Sequence, residues 1–131
     1  EKQAGAAAAD PNAADESPPD IEFSDHVMKL AFHPSAPMIA ACSVSGYVGL
    51  FQYDVKGNKK LADINHHTQS CRALQFSADG NTLFSGATDA CIGAFDVTAG
   101  RPSGILAQAH EAAICSLLVI EETMLASGDD D

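Results

Sequence analysis

His67, Ser85 and Asp89 are the first residues in this chain whose types could do chemistry together. An aspartate that holds an imidazole in one tautomer, and an imidazole that takes a serine proton, make a hydroxyl nucleophilic. The same three side chains buried inside a sheet do no chemistry and only tie chain segments together. Cys71 follows His66 and His67 closely and could be a thiol nucleophile, or a small buried apolar residue, the commoner fate of a free cysteine. His66, His67, Cys71 and Cys91 are all zinc-ligand types, but zinc needs four donors converging tetrahedrally. Adjacent His66 and His67 on an extended chain point opposite ways, which argues against such a site. Gly46 and Gly49 lie within a hairpin pattern rather than ahead of a helix, so they form no phosphate cradle. The Asp129-Asp130-Asp131 run shares only its composition with a calcium loop and reads as a turn.

The elements that carry these residues repeat. Phe32 in Leu30-Ala31-Phe32-His33-Pro34 and Phe76 in Leu74-Gln75-Phe76-Ser77 are 44 residues apart. The same offset takes Gly49-Leu50-Phe51 onto Gly93-Ala94-Phe95 and Ser45 onto Asp89. His67 to His110 is 43 residues, and Leu83-Phe84-Ser85-Gly86 matches Leu125-Ala126-Ser127-Gly128 at an offset of 42. A period near 43 across three copies is the mark of a repeat architecture, in which each unit buries its faces only against its neighbours.

Each period reads as short strands joined by turns. In the second copy, strands are predicted at 71–77, 82–87 and 91–97, with an outer fourth near 104–108. Ala78-Asp79-Gly80-Asn81 and Thr88-Asp89-Ala90 serve as turns, and residues 98–102 as a loop. The first copy gives 27–33, 38–43, 47–53 and 61–65 in the same order. Helical periodicity is not sustained anywhere, so the fold class is all-β. Met38-Ile39-Ala40-Ala41-Cys42 and Ser116-Leu117-Leu118-Val119-Ile120 are apolar on both alternating faces, which predicts strands covered on both sides. Blades of a propeller, each sandwiched between neighbours, meet that demand, and a two-sheet sandwich does not.

Residues 1–20 differ from the rest. They carry Glu1, Asp10, Asp15, Glu16 and Asp20 against Lys2, with no aromatic residue, and are expected to be disordered. The whole chain has a formal charge of −11, which argues against direct nucleic-acid binding by this stretch and suits solubility or a basic partner. No apolar run approaches the ~20 residues that span a bilayer, and no basic segment precedes an apolar one as in a secretory signal. The chain opens on Glu1 rather than Met, which reads as a start lying further upstream. The four cysteines, Cys42, Cys71, Cys91 and Cys115, form no CxxC pair and suggest a reducing, intracellular compartment.

At these residues the sequence resembles the WD40 family, whose repeats open on Gly-His and close on Trp-Asp. Those positions hold His66-His67 and Phe95-Asp96 in the second repeat, Ala109-His110 in the third, and Phe51-Gln52 in the first. The resemblance implies a partial β-propeller of about two and a half four-stranded blades, with repeats at about 21–65, 66–108 and 109–131. It also implies a structural tetrad at His67, Ser85, Asp89 and Phe95, and at His110, Ser127 and Asp131 in the third copy. The tetrad assigns the trio to holding a blade rather than to catalysis, so no catalytic site, cofactor or metal is expected. Phe95 in place of tryptophan lacks the indole donor. In the first repeat the matching positions are Phe23, Ala41, Ser45 and Phe51, so that blade must rely on apolar packing.

Within the family, Leu30-Ala31-Phe32-His33-Pro34, His66-His67-Thr68-Gln69-Ser70-Cys71-Arg72-Ala73, the stretch from Ala109 to Leu118 and Leu125-Ala126-Ser127-Gly128-Asp129-Asp130 are similar to the WD repeat-containing protein 55 group. That resemblance covers residues 21–131. It implies a nuclear, nucleolar scaffold in ribosomal RNA processing and large-subunit assembly, with ribosome-assembly factors as partners and neither membrane nor small-molecule substrate. The alternative is a substrate receptor of a cullin-type ubiquitin ligase. Such receptors place a basic residue two positions after Trp-Asp, where this chain has Asp54 and Thr98. Tyr47, Lys56, Lys59, Lys60 and Arg72 are expected on the surface. Seven such repeats need roughly 300 residues, so 131 residues leave a ring open, with apolar faces and unpaired edges that favour association.

Overall fold

The computed structural model describes residues 17–121 and 123–131, and the expectation of disorder over 1–20 falls largely outside them. Ten strands and no helix are found among the described residues. The first blade is an antiparallel sheet of β1 (Val27–Phe32), β2 (Met38–Ser43), β3 (Val48–Gln52) and β4 (Lys59–Ile64), hydrogen-bonded in that order. The second repeats it with β5 (Cys71–Phe76), β6 (Thr82–Ala87), β7 (Ile92–Asp96) and β8 (Arg101–Leu106). The third contributes β9 (Ile114–Glu121) and β10 (Met124–Asp129). Across blades, β5 packs between β1 and β9, so the three inner strands stand side by side.

The registers are copied between blades. Phe32 faces Ile39 as Phe76 faces Leu83, and Ile39 faces Phe51 as Leu83 faces Phe95. Each inner strand also carries a bulge at its second residue, Met28, Arg72 and Cys115, all three exposed. A bulge leaves one residue unpaired and turns its side chain out of the ladder.

The main core lies between the first two blades, where Cys42, Val48 and Leu50 meet Cys71, Leu74 and Leu83. Burying each large side chain here contributes about 1.5–3 kcal/mol. A smaller cluster of Ala73, Ile92 and Ile114 joins the second blade to the third. A β-carbon at Gly86 would stand 2.6 Å from Ile114 Cγ2, so glycine there admits the next blade. Polar ties cross the same seams. His33 reaches the Gly80 carbonyl at 3.1 Å, and the Val119 N–H donates to Gln75 Oε1 at 3.0 Å.

Two expectations need correction. The outer strand of the second blade is Arg101–Leu106, not 104–108, and Pro102 lies within it. Pro102 sits opposite Phe95 beside a bulge on an edge strand, where its missing N–H costs no ladder bond. The stretch Ser116–Ile120 is not covered on both sides. Leu118 and Ile120 are 56% and 52% exposed, with no further blade on that face of β9 among the described residues. The outer side of β1 is equally open, with Phe32 63% exposed.

Candidate functional site

His67 precedes β5, Ser85 lies in mid β6, and Asp89 sits in the turn between β6 and β7, so one imidazole spans a blade. Its Nε2 is 2.8 Å from Ser85 Oγ, and its Nδ1 is 3.2 Å from both oxygens of Asp89. A carboxylate only accepts, so Nδ1–H donates to Asp89, while Nε2 shares a hydrogen bond with the Ser85 hydroxyl. Asp89 also accepts the backbone N–H of Thr68 and of Cys91, each at 3.0 Å. Burial pushes its pKa up, but those two N–H groups and then His67 outweigh it, leaving the carboxyl below its ordinary range.

This connectivity is that of a nucleophilic triad. Access separates the two cases. The His67 side chain has no exposed surface and that of Asp89 only 9%, and Ser85 is buried with them. The opening beside Asp89 is lined by Ala90, Gln108, His110 and Glu111, and includes neither His67 nor Ser85. A nucleophile must meet a reacting carbon at about 3 Å, and Ser85 meets only the interior of its own blade. The trio therefore fastens the segment before β5 to the turn after β6. Phe95 is buried opposite Leu83 on β7 and adds only packing.

In the third repeat His110 Nε2 is 2.7 Å from Ser127 Oγ, as the offset predicts. Its Nδ1, however, meets Asp129 at 2.9 Å and not Asp131. Asp89 is held in its turn by the return of β7, whose approach supplies the Cys91 N–H. Asp129, the last residue of β10, is the carboxylate that meets the His110 ring. Asp131 instead donates its N–H to Asp129 at 3.4 Å.

The first blade lacks the polar tie, as the substitutions in its sequence require. Phe23 packs with ring centroids 5.4 Å from Tyr47 and 5.8 Å from Phe51, an aromatic cluster where the second blade has its imidazole. The Tyr47 hydroxyl donates to Asp63 at 2.5 Å. Burial, then the Asp63 carboxylate, pushes the phenol pKa up. Asn58 Nδ2 donates to the Pro19 carbonyl at 2.6 Å, fastening the strand-less lead-in to the same blade.

His66, His67, Cys71 and Cys91 do not converge on a metal. The His66 ring lies over Gly93, whose absent β-carbon it would meet at 2.1 Å. Cys71 turns into the seam between blades. No group of three metal-binding side chains is assembled among the described residues. Sequence reasoning missed His33. Its Nδ1 accepts the N–H groups of Ser35 and Ala36 while Nε2–H donates across the seam to Gly80. The available signal was its place before Pro34 in a turn, equivalent to Ser77, whose hydroxyl accepts the Thr82 N–H.

The family model for the WD domain, G-beta repeat, matches residues 18–52 and 58–96. WD repeat-containing protein 55 of Danio rerio is 40% identical over 118 residues, covering 88% of this chain and 30% of that protein. The WD repeat-containing protein 55 homolog of Drosophila melanogaster is 36% identical over 114 residues, covering 87% and 23%. The chain thus spans less than a third of these relatives. Among solved structures, the β-propeller domain of Cps50 (Swd1) from Myceliophteria thermophila matches with a TM-score of 0.64 at 18% identity, over 78% of this chain and 31% of that one. That likeness shows a shared fold. Repeat period, blade registers and family model agree: the chain belongs to the WD domain, G-beta repeat family.

Proposed function

We propose that the protein is a scaffold for protein–protein interaction that acts in the nucleolus, in ribosomal RNA processing and large-subunit assembly. The observation that carries the scaffold reading is the burial of the His67–Ser85–Asp89 trio, whose polar capacity is spent inside a blade. What the molecule offers outward is the repeated edge of the propeller, where the bulges expose Met28, Arg72 and Cys115. The nucleolar role rests on similarity to the WD repeat-containing protein 55 group.

The cullin-receptor alternative finds no support in the two closing positions. Asp54 accepts the Lys56 N–H, and the Thr98 hydroxyl donates to Asn81. The test is depletion of the full-length protein followed by analysis of ribosomal RNA precursors, together with proximity labelling. Accumulated large-subunit precursors and labelled assembly factors are expected. Normal precursors, with cullin adaptors as the labelled neighbours, would overturn the nucleolar reading in favour of the ligase.

A further inference from the structure

Cys42 on β2 and Cys71 at the start of β5 belong to different blades and have no exposed surface. Both belong to one buried cluster, and the Cys42 thiol lies 3.1 Å from the Cys71 carbonyl, to which it donates. The other two cysteines lie apart from this contact, Cys91 beside the Asp89 turn and Cys115 on the bulge of β9. The seam holding the pair is the main core, so a bond there would join the two blades covalently.

We propose that Cys42 and Cys71 are a redox-active pair that closes to an inter-blade disulfide when met by a small-molecule disulfide such as oxidised glutathione. Cys42 gives up to solvent the proton it donates to the Cys71 carbonyl, and its thiolate attacks that disulfide, forms a mixed disulfide and expels one glutathione thiolate. Cys71 gives up its proton to solvent and attacks the Cys42 sulfur, expelling the second. Two protein thiols are oxidised as one disulfide becomes two thiols. Cys42 suits the attacking role. Its partner Cys71 holds its pKa down against burial, helped by the backbone N–H and the ammonium of Lys29, while the Cys71 thiol is pushed up. Access comes through β1, which pairs with β2 over Cys42 and is exposed along nearly its whole length. Local opening of such an edge is the low-energy motion of a sheet.

The test treats the folded 131-residue chain with oxidised glutathione, blocks remaining thiols and digests with trypsin. The cut sites give Cys42 in peptide 30–56, Cys71 in 61–72, and both Cys91 and Cys115 in 73–131. The expected product is 30–56 joined to 61–72, about 2 Da lighter than their sum, which dithiothreitol separates. A Cys91→Ser/Cys115→Ser variant, which leaves the pair intact, must give the same product, and Cys42→Ser must abolish it. Glutathione adducts on Cys42 or Cys71 without the link, or a link from either to 73–131, would overturn the proposal.

Discussion

Replacing Asp89 with asparagine tests whether the buried trio is a fastening or a reactive group. The Asp89 carboxylate accepts three donors, the N–H groups of Thr68 and Cys91 at 3.0 Å and the Nδ1–H of His67 at 3.2 Å. Asparagine matches it in shape but keeps one acceptor oxygen, and its amide nitrogen turns donors toward donors. Two charge-assisted bonds are lost or reversed, at about 1.5 kcal/mol each net of solvation, so Asp89→Asn should cost about 2–3 kcal/mol. For a folded body of this size that corresponds to a melting temperature lower by about 8–12 °C. The chain has no tryptophan, so the assay is urea unfolding followed by far-ultraviolet circular dichroism at pH 7. The midpoint should fall with the slope unchanged. Acid gives a second check, because the folded pKa of Asp89 lies below its ordinary value of 3.8. Its contribution is complete above that value and lost as pH falls through the folded pKa, so parent and Asp89→Asn should converge in strong acid. An Asp89→Asn chain within about 0.5 kcal/mol of the parent at pH 7 would refute the fastening role, since a catalytic carboxylate can be exchanged without loss of stability.

Gly46 has φ +95°, and a β-carbon there would lie 2.6 Å from the Gln69 carbonyl and 2.8 Å from that of His67. Gly46→Ala should therefore cost about 2–4 kcal/mol from left-handed strain and overpacking, read in the same urea titration. His66 has its pKa lowered, first by burial and then by His67, so the folded chain prefers the neutral ring. Its stabilising effect is complete above the ordinary 6.5 and is lost as pH falls below it. The parent should lose stability between pH 7 and 5, and His66→Gln, with nothing to titrate there, should show a shallower acid slope. The open faces of β1 and β9 expose Leu30, Phe32, Leu118 and Ile120. The isolated chain should associate with rising concentration in sedimentation velocity, and Phe32→Lys with Leu118→Lys should reduce that. A parent monodisperse as a monomer at every concentration would count against it.

Most of the architecture was legible because it rests on local pattern repeated three times. The offsets of 44, 43 and 42 residues place strands, turns and registers, since a one-residue slip would carry Leu83 and Phe95 to the wrong face. The expectation that His67, Ser85 and Asp89 meet came from the family resemblance, whose tetrad the repeat spacing maps onto these positions. At the third copy the offset points to Asp131, whereas the carboxylate that meets His110 is that of Asp129 at the end of β10. The outer-strand boundary failed at Pro102, which reads as a loop residue unless the edge position of β8 is known. The tie from His33 to Gly80 and the meeting of Cys42 with Cys71 join residues 47 and 29 apart across a blade seam. No periodicity within one blade encodes such contacts, which depend on how blades stack.

The three copies solve one mechanical problem in different chemistry. Each must fix the segment entering its inner strand, because a strand edge not fastened there frays and opens the seam beside it. The second blade uses an imidazole between a hydroxyl and a carboxylate, a directional tie whose every polar atom is satisfied inside the sheet. The third uses the same pair of contacts in a more exposed setting, with side chains 22% and 23% accessible. At the equivalent positions the first has neither histidine nor aspartate and substitutes Phe23 against Tyr47 and Phe51, backed by the Asn58 bond to Pro19. Aromatic packing tolerates small shifts that a hydrogen-bonded tie does not, since dispersion falls off gradually while hydrogen bonds depend on angle. The first blade should then be the most adaptable of the three at its entry. It is also the blade that lends Cys42 to the seam, so the pair proposed to close by oxidation sits where the fold is most able to open.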